Sequence, residues 1–204
     1  MTSAVPLTRS IELDELVRDF SHAFKAADAL HPEAVSYRTG KPYQAGLGPH
    51  GENAAVKLVL AQMRTARPGV YDAARPVAYP GSRLVCDLGI GEPLEWAVEV
   101  KMVRAFGDNG KPDDTYLHEV LSPYESDHSA LSDAAKLRRS AFKCRKAILL
   151  YGYDYSQRSL EPVLHALEVL LHDCGDVGPR IEEGFSDLVH PVHAQGKVAA
   201  WEVL

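Results

Sequence analysis

RLVCDLGIGEPLEWAVEVKMVR, residues 83–104, is the stretch whose reading decides the fold. Arg83 to Leu88 is a β-rich run that contains Asp87, and Gly89 to Pro93 (GIGEP) supplies turn residues. Leu94 to Val103 is a second β-rich run, carrying Glu99, Val100 and Lys101. Residues two apart on a strand share a face. Glu99 and Lys101 are therefore expected to point the same way, with Val98 and Val100 directed into the opposite layer. A hairpin turn brings Asp87 back within reach of Glu99.

Two carboxylates beside one ammonium have a specific chemical use. Carboxylate oxygens are hard ligands that suit Mg²⁺, which takes one or two of them and completes its shell with waters and substrate phosphates. A lysine at that point orients a water or stabilises charge on phosphoryl oxygens. The alternative is a surface hairpin with alternating charges, in which Glu99 and Lys101 face solvent. Spacing alone leaves both readings open.

Asp87, then eleven residues, then Glu99-Val100-Lys101, resembles the signature of the PD-(D/E)XK nuclease superfamily. That signature is an Asp on one strand, then an acid, an apolar residue and a lysine on the next. Cys86 stands where many members have proline. Element order from about Gly51 to Tyr155 is similar as well. The resemblance implies an α/β fold: a restriction-endonuclease-like central mixed β-sheet flanked by helices. It also implies a Mg²⁺-dependent nuclease, with Mn²⁺ as a substitute ion, hydrolysing phosphodiester bonds of DNA before RNA. Asp87 and Glu99 would then be metal ligands, with the Val100 carbonyl, and Lys101 would orient or activate water. Glu52, an acid on the helix before the hairpin, matches a further metal-site role by element order. The same fold also serves as an inactive nucleic-acid-binding or assembly module, and members of it work as homodimers or inside defence and repair complexes.

Composition bounds these readings. The chain has 204 residues, of which 46% are hydrophobic and 25% charged, ordinary for a globular protein with a real core. No apolar run is long enough for a membrane span. Cys86, Cys144 and Cys174 form neither a CxxC pair nor a zinc pattern, which fits a reducing cytoplasm. The formal charge of -6 argues against a sequence-independent nucleic-acid coating protein. The densest basic cluster is Lys136, Arg138, Arg139, Lys143 and Arg145, continued by Lys146. It is either a solvated helix face or a nucleic-acid-binding surface.

Outside the hairpin, helical periodicity runs over 11–30, 51–64, 129–144 and 159–171. The nearly continuous apolar run 146–153 (KAILLYGY) predicts a central strand covered on both faces. Residues 197–203 (KVAAWEV) predict a last strand anchored by Trp201. Tyr37, Arg38, Lys41 and Tyr43 give the long connector before the second helix an aromatic and basic character. Asp108-Asn109-Gly110 is a turn signal after the hairpin. His190 and His193 flank a turn, which is most often a surface arrangement. There is no phosphate-binding GxxxxGK[ST] motif, repeat or visible second domain. The chain reads as one nuclease-like domain over 1–204 with a loose tail at 1–10.

Overall fold

The computed structural model describes residues 10–36 and 39–204. Nearly all of the expected tail, together with Tyr37 and Arg38 of the connector, lies outside the described residues. Two helices come first, α1 (Leu13–Asp28) and α2 (Glu52–Ala66). Three strands follow: β1 (Arg75–Ala78), β2 (Val85–Ile90) and β3 (Trp96–Val103). The short α3 (His118–Leu121) leads to α4 (Ala130–Arg139), β4 (Arg145–Tyr153) and α5 (Glu161–Cys174). The last strands are β5 (Ile181–Phe185) and β6 (Gly196–Glu202).

The six strands form one mixed sheet in the order β1-β2-β3-β4-β6-β5. β3 and β4 run parallel, and every other neighbouring pair is antiparallel. A parallel pair needs a long crossover, and the segment holding α3 and α4 supplies it. The period-two pattern of β4 explains its central place. Ala147, Leu149, Tyr151 and Tyr153 pack with α1 and α2 on one face, where the tilted rings of Phe20 and Phe24 meet Tyr151. Ile148 and Leu150 pack with α4 and α5 on the other, beside Leu137, Leu164 and Trp201. The result is a mixed α/β architecture with a central sheet covered by helices on both faces. Among the described residues no helix is long and apolar enough to cross a membrane.

Two boundaries and one burial differ from the sequence reading. The turn expected over 89–93 begins two residues later, because Gly89 pairs with Ala97 and Ile90 with Trp96. Gly89 serves close packing: a Cβ there would stand 2.9 Å from Leu94 Cδ1 and from Val77 Cγ1. Gly91, at φ +91°, is the residue that needs glycine's freedom to turn. The helix expected to reach Cys144 stops at Arg139. Ser140 adopts an extended conformation there, and its hydroxyl donates to the Leu137 carbonyl at 2.6 Å, satisfying a helix-end acceptor. The His190–His193 pair is buried, at 1% and 0% exposure, where a surface turn was expected.

Candidate functional site

The site forms where two strands part. The β2–β3 ladder runs from Ile90–Trp96 through Gly89–Ala97 to Leu88–Val98. Beyond Leu88, carboxylates take over donors that a ladder would otherwise use. The Val100 N–H donates to Asp87 Oδ2 at 2.9 Å, and the Asp87 N–H faces Glu99 Oε2 at 3.4 Å. Two residues further along β3, the Met102 N–H donates to Glu52 Oε2 at 2.6 Å. A residue's N–H and C=O project from the same edge of a strand. The Val100 carbonyl thus faces the gap between Asp87 and Glu52.

A bulge in β2 opens that gap. Arg75 pairs with Gly89 and Val77 with Cys86, so three steps of β2 span two of β1. The extra residue changes which face each side chain meets. Cys86 and Leu88, two apart, end up in opposite core clusters, with Asp87 between them. The Cys86 thiol donates to the Val98 carbonyl at 3.2 Å.

Glu99 and Lys101 do share a face, and Val98 and Val100 pack in the other layer with α1 and α2. Glu99 is only 3% exposed. It accepts from the Tyr79 hydroxyl, and Lys136 Nζ lies 2.7 Å from its Oε1. Lys136 Nζ is also 2.8 Å from Asp133 Oδ1. Lys101 Nζ lies 3.4 Å from Asp133 Oδ2 and 3.6 Å from Glu52 Oε1. The order Glu52, Lys101, Asp133, Lys136, Glu99 alternates in sign, and Asp87 adjoins its last member. Four carboxylates thus face two ammonium groups, an excess of two negative charges when all are ionised.

That excess shows in the ionisation of the groups. Burial, reinforced by the adjoining Asp87, pushes the Glu99 carboxyl up to about 7, although Lys136 and Tyr79 oppose the shift. Burial also raises Glu52, with Lys101 pulling the other way. For Lys101, burial favours the neutral amine, but Glu52, Asp133 and Asp87 outweigh it and hold the ammonium. Lys136 behaves alike: burial disfavours its charge, yet Asp133 and Glu99 carry it up to about 12. Both lysines are cations at neutral pH.

Mg²⁺, which the motif resemblance implies, fits this donor set in kind. Asp87 and Glu99 offer adjacent hard oxygens, Val100 adds a carbonyl, and with all four carboxylates ionised the charge surplus equals that of one divalent ion. Among the described residues no group of three acids, histidines or cysteines is arranged to hold a metal ion by itself. Such an ion would rely on water and substrate oxygens for the rest of its shell, as Mg²⁺ commonly does.

The structure brings together Glu52, Asp87, Glu99, Val100 and Lys101. It adds Tyr79, Asp133 and Lys136, which sequence reasoning did not place there. One signal was present: Asp133 and Lys136 lie on α4 among its apolar residues Ala130, Ala134 and Leu137, three apart, so they share a face with the core. The expected basic surface is dispersed. Lys136 points inward. Arg138 Nη1 donates to the Cys174 carbonyl at 2.9 Å, and Arg139 pairs with Glu125. Arg145 binds Glu202 at 2.7 Å and Glu12 at 2.8 Å, and its guanidinium lies 4.1 Å from the Trp96 ring centroid. Lys143 is exposed in the segment after α4.

The loop after β3 is pinned. Asp108 Oδ1 lies 3.1 Å from His193 Nε2 and 3.4 Å from Arg104, while His193 Nδ1 meets the Tyr155 hydroxyl at 2.9 Å. His193 also stacks on His190, with ring centroids 4.8 Å apart. This network ties three loops together beyond the ends of β3 and β4.

Compared with family models, curated proteins and solved structures, the chain matches none of them.

Proposed function

We propose that the chain is a divalent-metal-dependent nuclease of restriction-endonuclease-like fold, acting on phosphodiester bonds of DNA in preference to RNA. The observation that carries this reading is the set of four carboxylates facing two ammonium groups where β2 and β3 part, with carboxylates and a strand carbonyl turned toward one gap. Asp87, Glu99 and the Val100 carbonyl would hold Mg²⁺, with Glu52 next to them. The ion, when bound, supplies Lewis-acid polarisation of a phosphoryl oxygen and a lowered pKa for water.

The chain's own residues do the rest. Lys101 is held as an ammonium, so it donates hydrogen bonds: it orients the attacking water and stabilises charge growing on phosphoryl oxygens. Glu52 and Asp133 fix its position from two helices. Lys136 and Tyr79 hold Glu99 in one orientation. Both act on the carboxylate and are positioning residues.

The test uses plasmid and single-stranded DNA with Mg²⁺ or Mn²⁺. Wild-type protein should cleave, and Asp87→Ala and Lys101→Ala should not. Cleavage that persists unchanged in both variants overturns the assignment.

A second reading has one observation in its favour. The Lys136 ammonium already occupies Glu99 Oε1 at 2.7 Å, as it would in a module of the same fold that has given up metal. Calorimetric titration separates the two: an inactive module shows no divalent-ion binding that depends on Asp87 and Glu99.

A further inference from the structure

Resting on the nuclease reading, we propose that the groove leading to Asp87 takes single-stranded nucleic acid, with an unstacked base on its floor and the phosphates along its rim. The groove has a volume of about 560 Å³ and lies between one face of α2 and the sheet edge formed by β1 and the start of β2. Its floor is apolar: Val56 and Leu60 from α2, Pro76 from β1 and Val85 from β2. Val85 is left 54% exposed there. Its rim is cationic, with Lys57, Arg64 and Arg75, and Asp87 closes one end. Positions 53, 56, 57, 60 and 64 are spaced as neighbours on one helix face, so the floor and the rim come from the same register of α2.

Among the described residues the cations on this rim are held by backbone carbonyls or by nothing, and not by acids. Arg64 donates to the Tyr71 carbonyl at 3.4 Å and to the Ala74 carbonyl, and Arg75 to the Ala73 carbonyl at 3.0 Å. Among the described residues no acid forms an ion pair with Lys57, Arg64 or Arg75. By contrast Lys136, Arg139 and Arg145 are each neutralised by acids of the chain itself. In a protein of formal charge -6, three cations without an acidic partner among the described residues thus border one groove that also reaches a candidate metal ligand.

The floor selects the form of the polyanion. A duplex keeps its bases stacked inside and offers sugar and phosphate to a groove wall. A single strand can lay a base face on apolar or aromatic side chains while a cationic groove follows its backbone. An apolar floor of this size bordered by cations fits the single strand.

The experiment is fluorescence anisotropy in EDTA, which removes cleavage and metal from the readout. The probes are a labelled twelve-nucleotide oligo-dT, a duplex of the same length, and poly-glutamate as competitor. Wild type should bind the single strand at least about tenfold more tightly than the duplex. Lys57→Glu/Arg75→Glu should weaken it about tenfold or more and flatten the salt dependence, by roughly 0.7 in log–log slope for each cation removed. Val85→Ser should weaken it severalfold with the salt slope unchanged. Arg139→Glu should bind as wild type does. Equal or tighter duplex binding, no effect of the rim and floor variants, or equally good displacement by poly-glutamate overturns the proposal. The variant Lys101→Ala, whose side chain does not line the groove, reports on cleavage and not on this binding, so the two readings fail separately.

Discussion

Asp87 Oδ2 accepts the Val100 amide at 2.9 Å, on the edge of β3 where a continuing ladder would present a backbone carbonyl of β2. The side chain thus closes the sheet and opens a pocket with the same contact. Asp87→Ala leaves that amide without its acceptor and should cost about 1–3 kcal/mol in urea denaturation. Asp87→Asn keeps an acceptor oxygen, so it should stay within about 1 kcal/mol of wild type. Its DNA cleavage should nevertheless fall by roughly 100-fold or more.

Glu99 gives a pH dependence of definite sign. Its folded-state carboxyl is raised from 4.5 to about 7, so the folded protein binds the proton more tightly than the unfolded chain does. On this group's account stability is highest below pH 4.5 and falls as pH rises to about 7. Glu99→Gln imitates the protonated form. In EDTA at pH 8 it should be more stable than wild type, by on the order of 2–3 kcal/mol. Thermal melts from pH 4 to 8 should show that advantage shrinking toward zero on the acid side. A constant difference across the range would contradict the assignment.

Lys136 should behave as a buried counter-charge. Lys136→Met strands Glu99 and should lower stability at pH 8 by roughly 2–3 kcal/mol. In a Glu99→Gln background the same change should cost clearly less, by about 1 kcal/mol or more, with a remainder from the Asp133 carboxylate that Lys136 also pairs with. A double-mutant cycle by chemical denaturation measures the coupling.

Asp28, only 1% exposed, holds two loops at once. It accepts the Leu47 amide at 2.7 Å and the Val189 amide at 2.6 Å. Asp28→Ala should destabilise the protein by roughly 2–4 kcal/mol, because a buried and a partly buried donor lose their acceptor together. Groups in the Asp87–Glu99 gap should be unaffected in their metal-free titration, which NMR of the carboxyl carbons can follow.

The hairpin was legible because its information is local. Period-two alternation put Glu99 and Lys101 on one face, and a short turn set Asp87 opposite Glu99. Glu52 was legible only through the order of elements, since nothing within α2 indicates that its first acid meets the Met102 amide. Lys136 was read only as part of a basic cluster, and Asp133 was not singled out, for a related reason. A run of basic residues looks like a solvated or nucleic-acid-facing surface until packing shows which members turn inward. Lys136 turns inward because α4 packs on β3; its spacing from Asp133 hinted at a shared face, but which partner that face meets is a tertiary fact. The bulge at Asp87 was hidden too, because register against β1 is a property of two segments. The groove was likewise invisible, as its floor is assembled from α2, β1 and β2.

The place of β6 between β4 and β5 governs the order of assembly. Leu149 waits for Ala200, and Trp201 for Ile148. While a nascent chain emerges from the ribosome, the apolar edge of β4 stays open until residues 196–202 have been synthesised. That edge is a template for pairing with another chain. A polypeptide halted at residue 195 should therefore collect in the pellet or on chaperones, whatever the integrity of the carboxylates it already carries.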